Sequence, residues 1–173
     1  MKKLMHFIAK PISIFLLAIL LIFFNGMLML TMPRELALDL KFAYSVSEAF
    51  SALESMGEGV RGFYQLGIWL LDFPYMIVYC LFFSAILYRL WGVSRLIWLP
   101  LAIAFFDLIE NLSVLVLLKT FPAIPENIAV LASIFTSSKW VLVVFLMLSI
   151  LSGLIRVLIA KKYSSETSSR YEI

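Results

Sequence analysis

Apolar and polar positions alternate along the chain so as to leave four long apolar runs, at about residues 11–32, 68–90, 96–118 and 137–160. Each is long enough for a helix to cross a hydrocarbon layer about 30 Å thick at about 1.5 Å rise per residue. Lipid offers no hydrogen bonds, so a spanning segment must satisfy its own backbone, and the runs predict helices. The chain reads as an all-α membrane protein: a four-helix transmembrane bundle over 11–162, an N-terminal tail over 1–10 and a polar C-terminal tail over 163–173.

The first run follows Lys2, Lys3 and Lys10 and could be taken for a signal peptide. It is longer than a signal h-region of about 7 to 15 residues and ends in Leu30-Thr31-Met32-Pro33 with no small-residue cleavage site, which predicts a retained span. Residues 33–67 form the one long hydrophilic insertion and hold five of the eleven acidic residues. Within it Ser45-Val46-Ser47-Glu48 fits a capping box, Phe50, Leu53 and Met56 follow at helical spacing, and Gly57 is a natural stop. A short amphipathic helix on the membrane surface is expected there.

The last apolar stretch, 128–160, exceeds one straight span. Ser133, Thr136, Ser137, Ser138 and Lys139 interrupt it, so the crossing part is expected to begin near Trp140. The Ser-rich tail from Tyr163 is expected to be disordered.

Composition agrees with lipid as the main solvent: 63% of the 173 residues are hydrophobic, 14% are charged, and the mean hydropathy is +1.02. The net charge of +3 matters less than its placement. The N-terminal tail, the second loop and the C-terminal end carry nine Lys or Arg, whereas the first and third loops carry four. The positive-inside rule then puts both termini in the cytoplasm and the 33–67 loop outside, in a cell inner membrane or plasma membrane.

Several classes of chemistry lack the residues they need. Cys80 is the single cysteine and His6 the single histidine, so no metal or cofactor is expected. There is no basic stripe with interleaved aromatics for nucleic acid, no glycine-rich phosphate loop and no G-x-S-x-G or His-Glu-x-x-His motif. No internal repeat supports an inverted-repeat transporter.

What remains is a cluster of polar residues within the spans. Asp107, Glu110 and Asn111 stand at i, i+3 and i+4 in the third run, a spacing that shares one helix face. An ionised carboxylate at that depth costs at least about 2.5 to 3.5 kcal/mol, so two of them need partners, protons or water. Lys139 is the available counter-charge. Asp72 opens the second span just before Pro74, and Arg61, Gln65, Ile68, Asp72, Tyr75, Met76 and Tyr79 fall on one face by steps of three and four.

With the deduced orientation these groups meet in the outer half of the bilayer. They predict a pocket with Asp107 and Glu110 as proton-exchanging acids, Asn111 as donor, Lys139 as counter-charge, Asp72 as a further wall, Tyr75 and Tyr79 as hydroxyl donors, and the first loop as a cap. The plainer reading is a buried ion pair that fixes helix register, with Asn111 as interhelical glue. On that reading Asp72 and Lys139 reach the headgroups and the tyrosines belong to an aromatic belt. Three functions fit: binding of a small molecule or lipid headgroup; proton- or cation-coupled transport by a homo-dimer; and a structural subunit that docks on a membrane-protein partner. The spacing singles out no reaction.

Overall fold

A computed structural model describes residues 2–92 and 95–170. Among the described residues the chain is helical, without strands, and four helices are long and apolar enough to cross a membrane. The helices are α1 (Lys2–Ile8), α2 (Pro11–Thr31), α3 (Val46–Gly67), α4 (Phe73–Trp91), α5 (Trp98–Thr120) and α6 (Glu126–Arg170). This is the four-helix membrane bundle that the apolar runs predict, with α2, α4, α5 and α6 as the spans.

Local sequence explains where the helices start and stop. Pro11 occupies the first turn of α2, where its missing N–H costs nothing. Met32 and Phe121 precede prolines and are extended, which ends α2 and α5. The predicted capping box opens α3: Ser45 Oγ accepts from the Glu48 N–H, and Glu48 accepts from the Ser45 N–H.

Gly57 takes φ 67° and ψ 169°, which only glycine adopts without strain, and it breaks α3 into two arms. The first arm is the expected amphipathic helix, with Ala49, Leu53 and Met56 buried. Past Gly57 the chain is helical again, as the stepping of Arg61 and Gln65 with the second span requires. The helix extends through Gly67 and runs into α4 through a π turn at Ile68–Asp72. Pro74 gives the physical reason for the wide turn. It offers no N–H and crowds the carbonyl four residues back, so the Phe73 N–H bonds instead to the Ile68 carbonyl.

Helix α6 is one uninterrupted helix of 45 residues, roughly 65 Å at about 1.5 Å per residue. Its Ser137 hydroxyl bonds back to the carbonyl of Ser133, so it is satisfied inside the helix and does not break it. In the predicted tail the backbone of 163–170 continues α6, and residues 171–173 lie outside the described part. The N-terminal tail also contributes helix α1, which packs on α4 and buries Ile8.

The core has two parts. On the side of the first loop, Leu38, Leu53, Tyr64 and Ile68 pack with Val114, Leu117, Ala129 and Ala132, so the first loop is built onto the ends of α5 and α6. On the opposite side Tyr79, Leu87, Ile103 and Leu146 join α4, α5 and α6. Helices α5 and α6 share the most extensive contact, whereas α2 leans mainly on α4 and buries none of its own residues. That uneven packing leaves a space between α2 and the other three spans.

Candidate functional site

The space is a cavity of about 350 Å³ to which all four spans and the first loop contribute. From α2 come Asn25, Leu28, Met29 and Met32; from α4, Tyr75, Tyr79 and Phe83; from α5, Ile103 and Asp107; from α6, Lys139, Trp140, Val143, Leu146 and Met147. Asp72 projects from the π turn, and Arg34, Asp39 and Leu40 close the loop side. Helices α2 and α6 face one another across the cavity with at most marginal direct contact. One end of the cavity is polar, and the rest is aliphatic and aromatic.

Lys139 organises the polar end. Its Nζ stands 3.0 Å from Asp107 Oδ1 and 2.5 Å from Glu110 Oε2, so two carboxylates share one ammonium. Tyr79 donates to the other Asp107 oxygen at 2.8 Å, and Thr136 donates to Glu110 Oε1 at 2.6 Å. Every carboxylate oxygen of this pair therefore has a partner, which is the condition for keeping such charges in a low-dielectric interior. Tyr44 adds a hydroxyl from the first loop that faces Thr136 without a well-aligned hydrogen bond. Burial raises its pKa above the ordinary tyrosine range, so it stays a neutral group beside the cluster.

The predicted residues separate into two sets. Asp107, Lys139, Asp72, Tyr75 and Tyr79 line the cavity. Glu110 and Asn111 do not: at 0% and 1% exposed they lie behind it, in the packing between α5 and its neighbours. Glu110 is reached by Lys139 and Thr136 alone, and Asn111 Nδ2 is buried with no hydrogen bond among the described residues. The i, i+3 spacing groups Asp107 with Glu110, yet the two differ by about 60° around the helix, enough to send one to the cavity and the other to α6.

Asp72 differs from the other acids. It is only 9% exposed and lines the cavity, but it makes no hydrogen bond or ion pair among the described residues. The predicted polar stripe on the second span is redistributed around it. Ile68, Asp72 and Tyr79 are buried, while Gln65 is exposed and Arg61 turns back to donate to the Leu53 carbonyl at 2.8 Å and lie over the Phe121 ring. The π turn between them accounts for this, because one extra residue turns the following face by about 100°.

Thr136 and Asp39 contribute to the site without being singled out by the sequence, whereas Asn25 makes the interhelical hydrogen bond its place in the first span suggests. Thr136 is one turn from Lys139 on α6, a spacing that places both on one face, although in an apolar run its hydroxyl reads as an interruption. Asp39 accepts from the Tyr64 hydroxyl at 2.6 Å, and its carbonyl accepts from Trp140 Nε1 at 3.1 Å, which fastens the loop over the cavity. Asn25 donates to the Tyr75 hydroxyl at 3.2 Å and bridges α2 to α4. No group of His, Cys, Asp and Glu among the described residues has metal-site geometry. Compared with known proteins, the chain matches no family model, and no curated protein or solved structure is similar enough to carry an inference.

Proposed function

We propose that the chain is a multi-pass membrane protein that binds a small molecule or lipid headgroup in the cavity between α2 and the α4–α5–α6 group. The observation that carries this reading is the pairing of a polar end, built from Asp72, Asp107, Lys139, Tyr75 and Tyr79, with an apolar remainder in one space of about 350 Å³. That combination suits an amphiphile, and the volume is within the range of small-molecule sites. The weak α2–α6 contact supports lateral entry from the bilayer, with the headgroup at the polar end and the chain toward lipid. On the charge distribution, the loop side is external and both termini are cytoplasmic, in an inner or plasma membrane.

Within this reading the cluster has two jobs. Glu110, Thr136 and Lys139 pin α5 to α6, while Asp107 and Tyr79 present the face that a ligand meets. The structural alternative is supported for Glu110 by its two contacts within the protein, the Thr136 hydroxyl on Oε1 and the Lys139 ammonium paired with Oε2.

The test fills the cavity. Leu28 lines it from α2, a helix with no buried residues, so Leu28→Trp occupies space without strain on the core. Native mass spectrometry of the full chain should show one dodecyl amphiphile bound per chain, and Leu28→Trp should lose it. Equal binding by the variant would mean that the amphiphile sits on the lipid-facing surface and not in the cavity.

A further inference from the structure

The charges around the cavity are out of balance. Asp39, Asp72 and Asp107 line it, and Arg34 and Lys139 are the only Lys or Arg among the lining residues. Lys139 already serves Asp107 and Glu110, so its positive charge is committed twice over. Arg34 sits exposed in the loop. Three carboxylates against two cations leave the lining net negative, which disfavours an anionic headgroup. A cationic one would find an acceptor waiting.

Asp72 is that acceptor. It is nine-tenths buried, lines the cavity and has no hydrogen bond or ion pair among the described residues. A carboxylate removed from water without a partner is costly, and proteins keep such groups where something else completes them. The π turn forced by Pro74 sets Asp72 at the mouth of α4, one helical turn from Tyr75 and two from Tyr79. Those two rings pack edge to face, with centroids 5.4 Å apart, and Trp140 lies across from them on α6. Aromatic rings lining the same cavity as a buried carboxylate favour an organic cation over an inorganic one, because ring faces attract ammonium groups and the rings pack on their carbon neighbours.

We propose that the cavity takes a ligand with a protonated amine on a hydrophobic chain, its ammonium paired with Asp72 and its chain running out between α2 and α6. This rests on the reading of the cavity as an amphiphile site and adds the charge of the headgroup. The same ammonium occurs on a free long-chain amine and on an aminophospholipid.

The experiment compares three probes with one chain and different heads: dodecylamine, 1-dodecanol and dodecanoate, each bound to the full chain and counted by native mass spectrometry. Dodecylamine should bind about tenfold or more tighter than the other two, the scale expected when a buried charge gains its partner. Asp72→Asn should abolish that preference and leave dodecanol binding as it was; Asp72→Glu should retain it. Equal binding of the amine and the alcohol by the unmodified chain would overturn the proposal with no variant needed, and so would a preference that survives in Asp72→Asn. If dodecanol binds one to one and fills the Leu28 side of the cavity as well as the amine does, the amphiphile reading stands and the ammonium inference falls. If none of the three binds, both fall. Competition by phosphatidylethanolamine against dodecylamine assigns the ammonium to a membrane headgroup, and failure to compete assigns it to a free amine.

Discussion

Lys139 Nζ lies 3.0 Å from Asp107 Oδ1, so an ammonium on the fourth span is held by a carboxylate on the third. The same nitrogen reaches Glu110, one turn along the third span, and the three charges close into a unit that spans the α5–α6 contact. Two acids and one base cannot be neutral together when all are ionised. The unit is thus both a fastening and a source of negative potential beside the cavity.

Removing the ammonium should be the most damaging single change. In Lys139→Met two buried carboxylates lose their cation, and breaking a buried pair from one side typically costs about 3–5 kcal/mol. Proton uptake by the stranded acids offsets part of it. The measurement is thermal unfolding in detergent: a large fall in Tm is expected, with partial recovery in Lys139→Met/Glu110→Gln. A Tm equal to the parent's would show that the unit does not hold the helices together.

Asp72 should behave in the opposite way. It makes no ion pair or hydrogen bond among the described residues, so neutralising it removes an unfavourable buried charge and no contact. Asp72→Asn is expected to match or exceed the parent in Tm, whereas Asp107→Asn should fall below it. A loss in Asp72→Asn as great as in Asp107→Asn would reveal a structural role for Asp72.

Much of this arrangement is legible in the sequence because it is local or because the alternatives are few. The capping box at Ser45 and the break at Gly57 depend on neighbouring residues alone, and both are present. Lys139 is a natural partner for Asp107 because a cation in an apolar run has few other destinations. The facing of the second span is only partly legible: stepping from Arg61 to Tyr79 by threes and fours assumes an unbroken α-helix, whereas the π turn ahead of Pro74 rotates everything after it. The divergence of Glu110 from Asp107 is not legible: helical spacing gives adjacency, while the position of α6 decides which of two adjacent side chains it covers. Thr136 is obscured for a related reason, since a hydroxyl in an apolar run has the same appearance whether it bonds its own helix or a neighbour's acid.

Gly57 offers a test of the first loop. Its φ of 67° and ψ of 169° fall in a region that a side chain enters at a cost of about 1–3 kcal/mol, while nothing within 4 Å would obstruct a Cβ. Gly57→Ala should therefore lower Tm through backbone strain alone, and proteolysis should cut near the junction of the two α3 arms sooner than in the parent. An unchanged Tm would mean that the break can move to another residue.

At the other end of the bundle, Gly153 lets α6 approach α4. A Cβ there would stand 2.9 Å from Trp91 Nε1 and 3.0 Å from Leu90 Cβ, and the indole N–H already donates to the Ser149 carbonyl at 3.0 Å. Gly153→Ala should displace the indole, lose that hydrogen bond and cost about 1–3 kcal/mol as overpacking. Tryptophan fluorescence, read with Trp91→Phe as the reference, should show the indole moving. An unshifted spectrum with an unchanged Tm would show that α4 and α6 separate freely at this end.

Glu110 and Asp107 give the sharpest division between fastening and site. Both are buried carboxylates on one helix and both hold Lys139, but only Asp107 lines the cavity. Glu110→Gln keeps the shape and the Thr136 contact and loses half of the ammonium's counter-charge, so it should lower Tm. It leaves the cavity wall intact, so dodecyl probes should still bind one to one. Asp107→Asn should lower Tm and also weaken headgroup discrimination, because the substituted oxygen faces the ligand and the Tyr79 hydroxyl loses its anionic acceptor. Thermal unfolding and native mass spectrometry on the same two proteins separate the effects. If Glu110→Gln loses binding while its Tm holds, the ligand reaches deeper than the cavity, and the division of roles drawn from the lining residues is wrong.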